Sequence, residues 1–242
     1  MIGLGTIINV LAVLAGGCVG LFLRGGMNPR YQEAIVRIMG ISTIFIAISG
    51  VLSGLLQSEN GMLVSTPISV SLGMIISLAL GTFIGEVLDF DGKLERFGGW
   101  LKQKASRGED NLFIEGFVTA SLTICIGAMA IVGSIQDGLT GDYSTLVTKS
   151  VLDCIIMVVF ASTYGKGSLF SVIPVIILQG GVTLFAGLLA PIFSDAIIAN
   201  LSFLGSVLIF CVGANLAFQA KFRVANMLPA LVIGAIYTTL MG

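Results

Sequence analysis

Gly127 to Asp153 have the sequence GAMAIVGSIQDGLTGDYSTLVTKSVLD, which contains the end of one apolar run, a polar connection and the start of another run. Gln136 and Asp137 interrupt the first run, and a glycine-rich turn is expected after them. The second run carries Lys149 and Asp153 and continues as IIMVVFASTYG, which predicts that both ionisable groups lie in a membrane helix. Each such group costs roughly 2.5–3.5 kcal/mol on insertion, so ionisable residues in spans usually face a bundle interior and mark a pathway.

A helix that began at Asp142 would place Asp142, Lys149 and Asp153 within about 40° of one another at about 100° per residue. This acid, base and acid stripe would indicate a functional pathway through the membrane. In the alternative, Lys149 and Asp153 are four residues apart and form an ion pair that only fixes helix packing. Both interpretations stay open on the sequence alone.

The composition is typical of a membrane protein. The 242 residues are 56% hydrophobic and 10% charged, whereas soluble domains are about 45–50% apolar and about 25% charged. These values predict an all-α, polytopic transmembrane helix bundle, and the 32 glycines with only 5 prolines suit close helix packing.

The net charge of −1 gives no basis for nucleic-acid binding. Histidine does not occur, which removes the commonest general base and metal ligand, so neither an enzyme nor a cofactor is expected. Four cysteines lie in apolar runs without metal-ligand spacing, and a metal site is left open.

Eight apolar segments are predicted to span the membrane as a single transmembrane domain over residues 1–242. The first follows no basic stretch of the kind that opens a signal peptide, so it is expected to remain a span. The last is short for a span, which needs about 20 residues. In chain order the segments cover approximately Gly3 to Leu23, Ala34 to Leu56, Pro67 to Leu88, Phe113 to Ile135, Thr145 to Tyr164, Ser168 to Ala190, Leu201 to Gln219 and Asn226 to Leu240.

Basic residues predict the orientation of these spans. Of the 12 lysines and arginines, all except Lys149 lie in or beside the connections that follow the odd-numbered segments. These connections are therefore expected to be cytoplasmic, with both termini outside.

The connection from Asp89 to Asn111 carries five of the basic residues, and Leu94, Phe97 and Leu101 recur there at helical spacing. This predicts a cytoplasmic amphipathic helix over 89–111 that binds the anionic bilayer surface. A solvated helix that merely closes a loop is the alternative.

A faint internal similarity suggests a possible repeat. Ser71 to Glu86, SLGMIISLALGTFIGE, resembles Phe203 to Phe218, FLGSVLIFCVGANLAF, and the tripeptide IGA occurs at both 126 and 233. A four-plus-four duplication would explain the similarity and would favour a transporter-like architecture, since many transporter folds are built from repeats.

Polar residues at other depths each have two interpretations. Asn9 lies about six residues into the first segment, at a depth similar to that of Lys149, and could hold helices together or coordinate a solute. Glu86 closes the third segment at the inner surface, where it could gate a pathway or simply be hydrated. Asn226 precedes the last segment, with Pro229 in its first turn, an arrangement typical of a helix N-cap.

The acidic turn has alternatives of the same kind. Asp137 and Asp142 flank it, and it is either a re-entrant outer mouth or an ordinary exposed loop. Ser150 could donate to a backbone carbonyl or to a solute. Gln179 and Asn215 lie mid-span and are expected to bridge helices. The residues predicted to line a pathway are therefore Asn9, Glu86, Asp137, Asp142, Lys149, Ser150, Asp153 and Asn226.

Four motifs carry a resemblance over nearly the whole chain. They are INVLAVLAGGCVG (8–20), GTFIGEV (81–87), DGLTGDYSTLVTKSVLD (137–153) and NMLPAL (226–231). The chain resembles the YqgA/YdfK-type family of bacterial membrane proteins, called domain of unknown function 554. The resemblance implies a small multi-pass protein of the bacterial cytoplasmic (inner) membrane, with a transport role and no assigned substrate.

Transport or channel conduction of a small solute or ion is the leading functional hypothesis. In it, Asp142 attracts the solute at the outer side, Asp153 coordinates it or exchanges a proton, and Lys149 neutralises Asp153 when the site is empty. The alternative is a membrane scaffold or partner-binding protein that transports nothing. The expected partners are the lipid bilayer and an unidentified small solute or ion, and a homo-oligomer is left open.

Overall fold

A computed structural model of the protein describes residues 2–24, 29–59, 62–105, 112–125, 128–189, 191 and 193–241. The chain is an all-α polytopic membrane protein, as the composition predicts. Its elements in chain order are α1 (Leu4–Arg24), α2 (Pro29–Leu55), β1 (Leu56–Glu59), β2 (Met62–Ser65), α3 (Ile68–Leu88), α4 (Phe90–Ala105), α5 (Phe113–Cys125), α6 (Ala128–Thr140), α7 (Ser144–Tyr164), α8 (Lys166–Leu169), α9 (Val172–Val175), a π-helical turn (Ile176–Gly180), α10 (Gly181–Leu184), α11 (Ala186–Leu189), α12 (Asp195–Phe218), α13 (Val224–Met227) and α14 (Pro229–Met241).

The number of membrane spans is six by length and composition in the described part of the chain, and seven if the bent pair α5 and α6 forms one span. The eighth predicted segment corresponds to a shorter apolar helix, Val224–Leu240. Each predicted segment thus has a helical counterpart, and the shortest prediction is the one that falls below the length of a full span.

Two predicted spans are not continuous helices. The segment predicted over 113–135 consists of α5 and α6, whose axes differ by 60°; residues 126–127 lie outside the described part. The segment predicted over 168–190 is interrupted by the π-helical turn Ile176–Gly180, and residue 190 lies outside the description. Breaks and π-helical turns inside membrane helices are common where a helix serves a site rather than only crossing the bilayer.

The polar connection between α6 and α7 is shorter than predicted. Helix α6 continues through the expected turn to Thr140 and leaves only residues 141–143 between the helices. Gly141 has a φ of +71°, a left-handed conformation that a glycine adopts without strain. The turn predicted between Asp137 and Asp142, whether a re-entrant mouth or an exposed loop, is therefore wrong in extent, because residues 138–140 are helical.

A short hairpin follows α2 and was not predicted. Strands β1 and β2 pair in antiparallel register, with Leu56 opposite Ser65 and Glu59 opposite Met62. The hydroxyl of Thr66 donates to the carbonyl of Leu55 at 3.2 Å, which ties the end of the hairpin to the end of α2.

The residues fall into two compact units, Met1–Ile38 with Gly92–Ile192 and Met39–Asp91 with Phe193–Gly242. In the first unit α1 packs along α7. A Cβ at Gly16 would collide with the carbonyl oxygen of Cys154, and one at Gly20 with that of Val158. Small residues therefore let the two helix backbones approach closely, as in other membrane helix pairs.

The second unit is built around α3, α12 and the C-terminal helices. Gly73 and Gly81 of α3 face the ring of Tyr237 and the backbone of Ala230 on α14. The Tyr237 hydroxyl donates to the carbonyl of Ser69 at 3.0 Å, which fixes the two helices along their length.

The amphipathic helix predicted over 89–111 is α4, and residues 106–111 lie outside the described part. Its apolar stripe does not lie wholly on a surface, because Leu101 is buried against Phe113 and Phe117 of α5, with Leu94 partly buried beside it. Phe97 stacks on Trp100, and these two rings are 38% and 48% exposed. Leu94 and Leu101, and Phe97 through an edge contact with Phe117, therefore hold α4 to the protein, and binding of α4 to the bilayer surface stays a prediction.

Candidate functional site

A group of buried polar side chains lies within the helices of the first unit. Isolated polar groups at membrane depth are costly unless they bond to one another or to a ligand. The group comprises Thr6, Asn9, Asp137, Lys149, Asp153, Gln179 and Thr183, from α1, α6, α7, the π-helical turn and α10.

Lys149 and Asp153 form the predicted ion pair at the centre of this group. They lie four residues apart on α7, and their side chains are only 8% and 5% exposed. The Lys149 ammonium also donates to the backbone carbonyl of Ile124 at 3.0 Å. Ile124 is the penultimate residue of α5, where helix carbonyls lack intrahelical partners and carry partial negative charge. Lys149 thus joins α7 to the end of a helix that stops inside the apolar run.

Asn9 completes the surroundings of the Asp153 carboxylate. Its Nδ2 donates to Asp153 Oδ2 and to Gln179 Oε1, both at 3.0 Å. The carbonyl oxygen of the same amide is buried and has no hydrogen-bond partner among the described residues. Gln179 lies on the π-helical turn and is 1% exposed. The two irregular helices, α5 with its early end and the π-helical turn, therefore both contribute to the surroundings of one charged pair.

Asp137 is buried and caps a helix from a distance in sequence. Its carboxylate accepts hydrogen bonds from the backbone N–H groups of Gly3 at 3.2 Å, Gly5 at 3.0 Å and Thr6 at 3.4 Å. These groups open α1, where unpaired N–H donors and the helix dipole favour a negative charge. The hydroxyls of Thr6 and Thr183 hydrogen-bond to each other at 3.2 Å. The contacts assign Asp137 a structural role, holding α6 to the start of α1.

Asp142 does not belong to the stripe that the sequence suggested. It precedes α7, which begins at Ser144, and its side chain is exposed. Its Oδ1 accepts a hydrogen bond from the backbone N–H of Ser144 at 3.0 Å, and this bond lowers the pKa of the Asp142 carboxyl. The acid, base and acid stripe is therefore wrong as a buried set, because only Lys149 and Asp153 are inside the helix bundle.

Ser150 is buried beside the pair, but its hydroxyl donates to the carbonyl of Leu146 at 2.6 Å. Of the two roles proposed from the sequence, the structure therefore shows the bond to a backbone carbonyl.

Glu86 and Asn226 belong to the second unit. Glu86 is half-exposed and accepts a hydrogen bond from Arg223 at 2.6 Å. Arg223 also donates to Asp89 at 2.8 Å and lies 3.7 Å from Asp91. Burial raises the pKa of the Asp91 carboxyl, although Arg223 opposes the shift.

Asn226 does not cap the last helix. It lies inside α13, whose N-cap is Arg223, and its Oδ1 accepts from the backbone N–H of Asp91 at 2.7 Å. Asn226 therefore satisfies a donor in the first turn of α4 by a tertiary contact, and the prediction that it is an N-cap is wrong.

Three contributors to the site have little or no signal in the sequence. Gln179 is the only one with a local signal, as an amide in the middle of an apolar run, and it does bridge helices as expected. The Ile124 carbonyl cannot be found without knowing where α5 ends. The contact between Thr6 and Thr183 joins residues 177 positions apart.

The chain is similar over nearly its whole length to known proteins of one family. A family model described as "Protein of unknown function (DUF554)" matches residues 4–239. The chain belongs to this family. It is similar to "Uncharacterized membrane protein YdfK" of Bacillus subtilis (strain 168), with 29% identity over 229 residues that cover 95% of this chain and 93% of the relative. It is also similar to "Uncharacterized protein YqgA" of Escherichia coli (strain K12), with 26% identity over 234 residues that cover 95% and 94% of the two chains. No solved structure matches the chain.

Membership in the DUF554 family confirms the resemblance that the four motifs carry, and with it the assignment as a membrane protein. It brings no activity, so the function has to be argued from the charged pair and its surroundings.

Proposed function

We propose that this DUF554 protein moves a small solute or ion across the membrane, with Lys149 and Asp153 as the binding centre. The observation that carries the proposal is a charged pair that is less than a tenth exposed and bonded to the end of an interrupted helix. A buried ion pair is often no more stable than well-packed apolar residues of similar volume. Retaining one where two helices are irregular therefore supports a working site over simple packing.

Each residue has a distinct part in the proposed cycle. Asp153 either coordinates the solute or takes up and releases a proton during the cycle. Lys149 neutralises Asp153 when no solute is bound, and moves aside when one arrives. Asn9 and Gln179 hold the carboxylate in position through one amide bridge. The exposed carboxylate of Asp142, at the connection between α6 and α7, makes the first contact with an approaching solute.

The irregular helices supply the motion that such a cycle needs. The change of direction between α5 and α6 and the π-helical turn Ile176–Gly180 both adjoin the charged pair. Broken helices in transporters place a binding site at their interruption, and alternating access comes from movement of one helix bundle against the other around that site. The structure corresponds in this proposal to a closed state, because the Lys149 and Asp153 side chains are only 8% and 5% exposed.

We place the protein in the bacterial inner membrane with both termini outside. Counting the bent pair α5 and α6 as one span and the short helix Val224–Leu240 as another gives eight crossings in this proposal. All lysines and arginines except Lys149 then fall on the cytoplasmic side, as positively charged loops do. Reporter fusions at residues 2 and 241 test this orientation, and a cytoplasmic signal from either terminus contradicts it.

Flux into proteoliposomes tests the transport assignment. The purified protein is reconstituted and offered a panel of cations, anions and neutral metabolites, with and without a proton gradient. We expect one class to enter faster than into empty liposomes and Lys149→Met to change that rate. Ser162→Ala on the same helix is the matched control, since within the described residues its hydroxyl donates to the Val159 carbonyl of its own helix and not to the charged pair. No uptake of any solute by the wild-type protein would reject the proposal.

A membrane scaffold remains the second candidate, and one observation favours it. Lys149, Asp153 and the Asn9 amide nitrogen all find protein partners without a solute. A scaffold predicts a co-purifying partner protein and normal complex formation when both charged residues are replaced by apolar ones.

We assign the protein no enzymatic activity. An exposed Asp142 and a lysine-paired Asp153 do not form an aspartyl dyad, and an assay with a transmembrane peptide substrate checks this assignment.

A further inference from the structure

The Lys149 ammonium lies among oxygen atoms, and its position suggests what the site binds. We infer that the ligand of the Lys149–Asp153 site is a small monovalent cation, and that the Lys149 ammonium occupies the cation's place in the closed state. This inference rests on the transport role proposed for the same site and names its substrate class.

Two oxygens already converge on one cationic centre. Asp153 Oδ2 and the Ile124 carbonyl both accept hydrogen bonds from Lys149 Nζ. The Ile124 carbonyl belongs to the end of α5, where the helix dipole is negative. Carbonyls at the ends of interrupted helices are the groups that coordinate cations in transporters. A cation in the place of Nζ would therefore meet a carboxylate oxygen and a helix-end carbonyl.

A third and a fourth oxygen can be supplied by the two amides. The carbonyl oxygen of Asn9 is fully buried and unpartnered within the described chain. A half-turn of this amide exchanges its oxygen with Nδ2, which lies 3.0 Å from both Asp153 Oδ2 and Gln179 Oε1. Such a turn brings three oxygens together, and a cation between them would offset their mutual repulsion. The unpartnered oxygen is thus explained as a ligand kept for the bound state.

The charge of the oxygen set selects a monovalent ion. It contains one carboxylate, and the described residues hold no group of three or more His, Cys, Asp or Glu side chains that could bind a metal ion. Calcium sites normally employ several carboxylates, and magnesium keeps much of its hydration shell. One negative charge with neutral carbonyl oxygens balances one positive charge. This matches an alkali-metal ion, and the ammonium that it replaces has the same charge.

Lys149 acts in this arrangement as a tethered competitor. Its ammonium is a point charge on a flexible four-carbon stem, so it can leave the oxygens without moving the helix backbone. Because the competitor is attached, its effective concentration is high, and removing it should strengthen cation binding by about tenfold or more.

Thermal unfolding of the purified protein in detergent tests the inference directly. Sodium, potassium or rubidium chloride is exchanged for choline chloride at constant total salt, so that general ionic effects cancel. We expect Lys149→Met to show a rise in Tm that is specific for one or more alkali ions, half-maximal at a concentration about tenfold or more below that of the wild-type protein. Adding Asp153→Asn or Asn9→Val to Lys149→Met should remove or weaken that rise.

The controls separate this inference from the proposed function. Lys149→Gln, which retains a donor for the Ile124 carbonyl, gives a second variant if Lys149→Met does not fold, and ²³Na relaxation on the wild-type protein provides a measurement without mutation. An equal response of Lys149→Met or Lys149→Gln to choline and to every alkali ion would overturn the inference. Solute uptake that depends on Asp153, without any alkali-specific binding, would overturn it and leave transport standing. Alkali-specific binding without flux would support the cation site and reject transport.

Discussion

Removing one partner of the Lys149–Asp153 pair should cost more stability than removing both. The two side chains are 8% and 5% exposed, so either charge left alone has little water to solvate it. Breaking a buried pair in this way costs about 3–5 kcal/mol, whereas replacing both partners by apolar residues of similar volume is often neutral or stabilising. In Asp153→Leu the Lys149 ammonium would still donate to the Ile124 carbonyl. We therefore expect this variant to lose about 3 kcal/mol of unfolding free energy, the lower limit of that range. The double variant Lys149→Met with Asp153→Leu should lie within about 1 kcal/mol of the wild-type protein.

Unfolding in mixed micelles of a mild detergent and SDS measures these free energies, with the fluorescence of Trp100, the single tryptophan, as the signal. The chain provides a matched control in Glu33 and Arg37, an ion pair with the same spacing whose side chains are 61% and 59% exposed. Glu33→Gln should cost less than about 0.5 kcal/mol. A cost for Asp153→Leu as small as that of the control, or a double variant less stable than both single ones, would refute the argument from burial.

Further substitutions test other parts of the structure. Asp137→Ala should destabilise the protein by about 1–2 kcal/mol in the same unfolding assay, because three N–H groups at the start of α1 lose their acceptor; an unchanged stability would contradict the capping role. Asp142→Ala should lower Tm at pH 7 but not in strong acid: the folded-state pKa lies below the ordinary value of 3.8, so the stabilisation is present above that value and is lost as the pH falls through the lowered pKa. A Tm difference that persists at pH 2 would contradict this. Gly16→Val should disrupt packing of α1 on α7, at a cost of about 1–3 kcal/mol, because its Cβ would collide with the Cys154 carbonyl. Gly187→Ala, whose Cβ would meet no atom of the described residues within 4 Å, is its control, and equal effects of the two would count against close packing.

The spans could be predicted from the sequence because hydropathy alone determines which runs enter a bilayer. The predicted bounds of α1, α3 and α7 differ from those in the structure by at most one residue at either end. The interruption after α5 could not be predicted in this way, since the sequence across it, ICIGAMAIV (124–132), has no charged residue and no proline. The hairpin did have a local signal: Asn60-Gly61 between the strands is the dipeptide most typical of tight hairpins, although the description leaves out these two residues.

The part of the site that depends on residues close together in the sequence could be predicted. The spacing of Lys149 and Asp153 places them together on any helix, so their pairing follows from local geometry. The burial of Asp137 depends instead on the N-terminus of α1, more than 130 residues away. The predicted stripe failed at Asp142 because its side chain caps α7 from outside the helix. Distant contacts of these kinds have no counterpart in a sequence pattern.

The rate of solute entry for Asp153→Asn, per folded protein in liposomes, is the most direct measure of the central claim. Asparagine keeps the size of the side chain and its ability to accept from Asn9 while the carboxylate charge is lost, and expressing the rate per folded protein removes the effect of the broken pair on stability. We expect the rate to fall at least about tenfold, which corresponds to about 1.4 kcal/mol of lost stabilisation of the rate-limiting state. A rate equal to that of the wild-type protein and of Ser162→Ala would show that Asp153 has no part in the passage of solute.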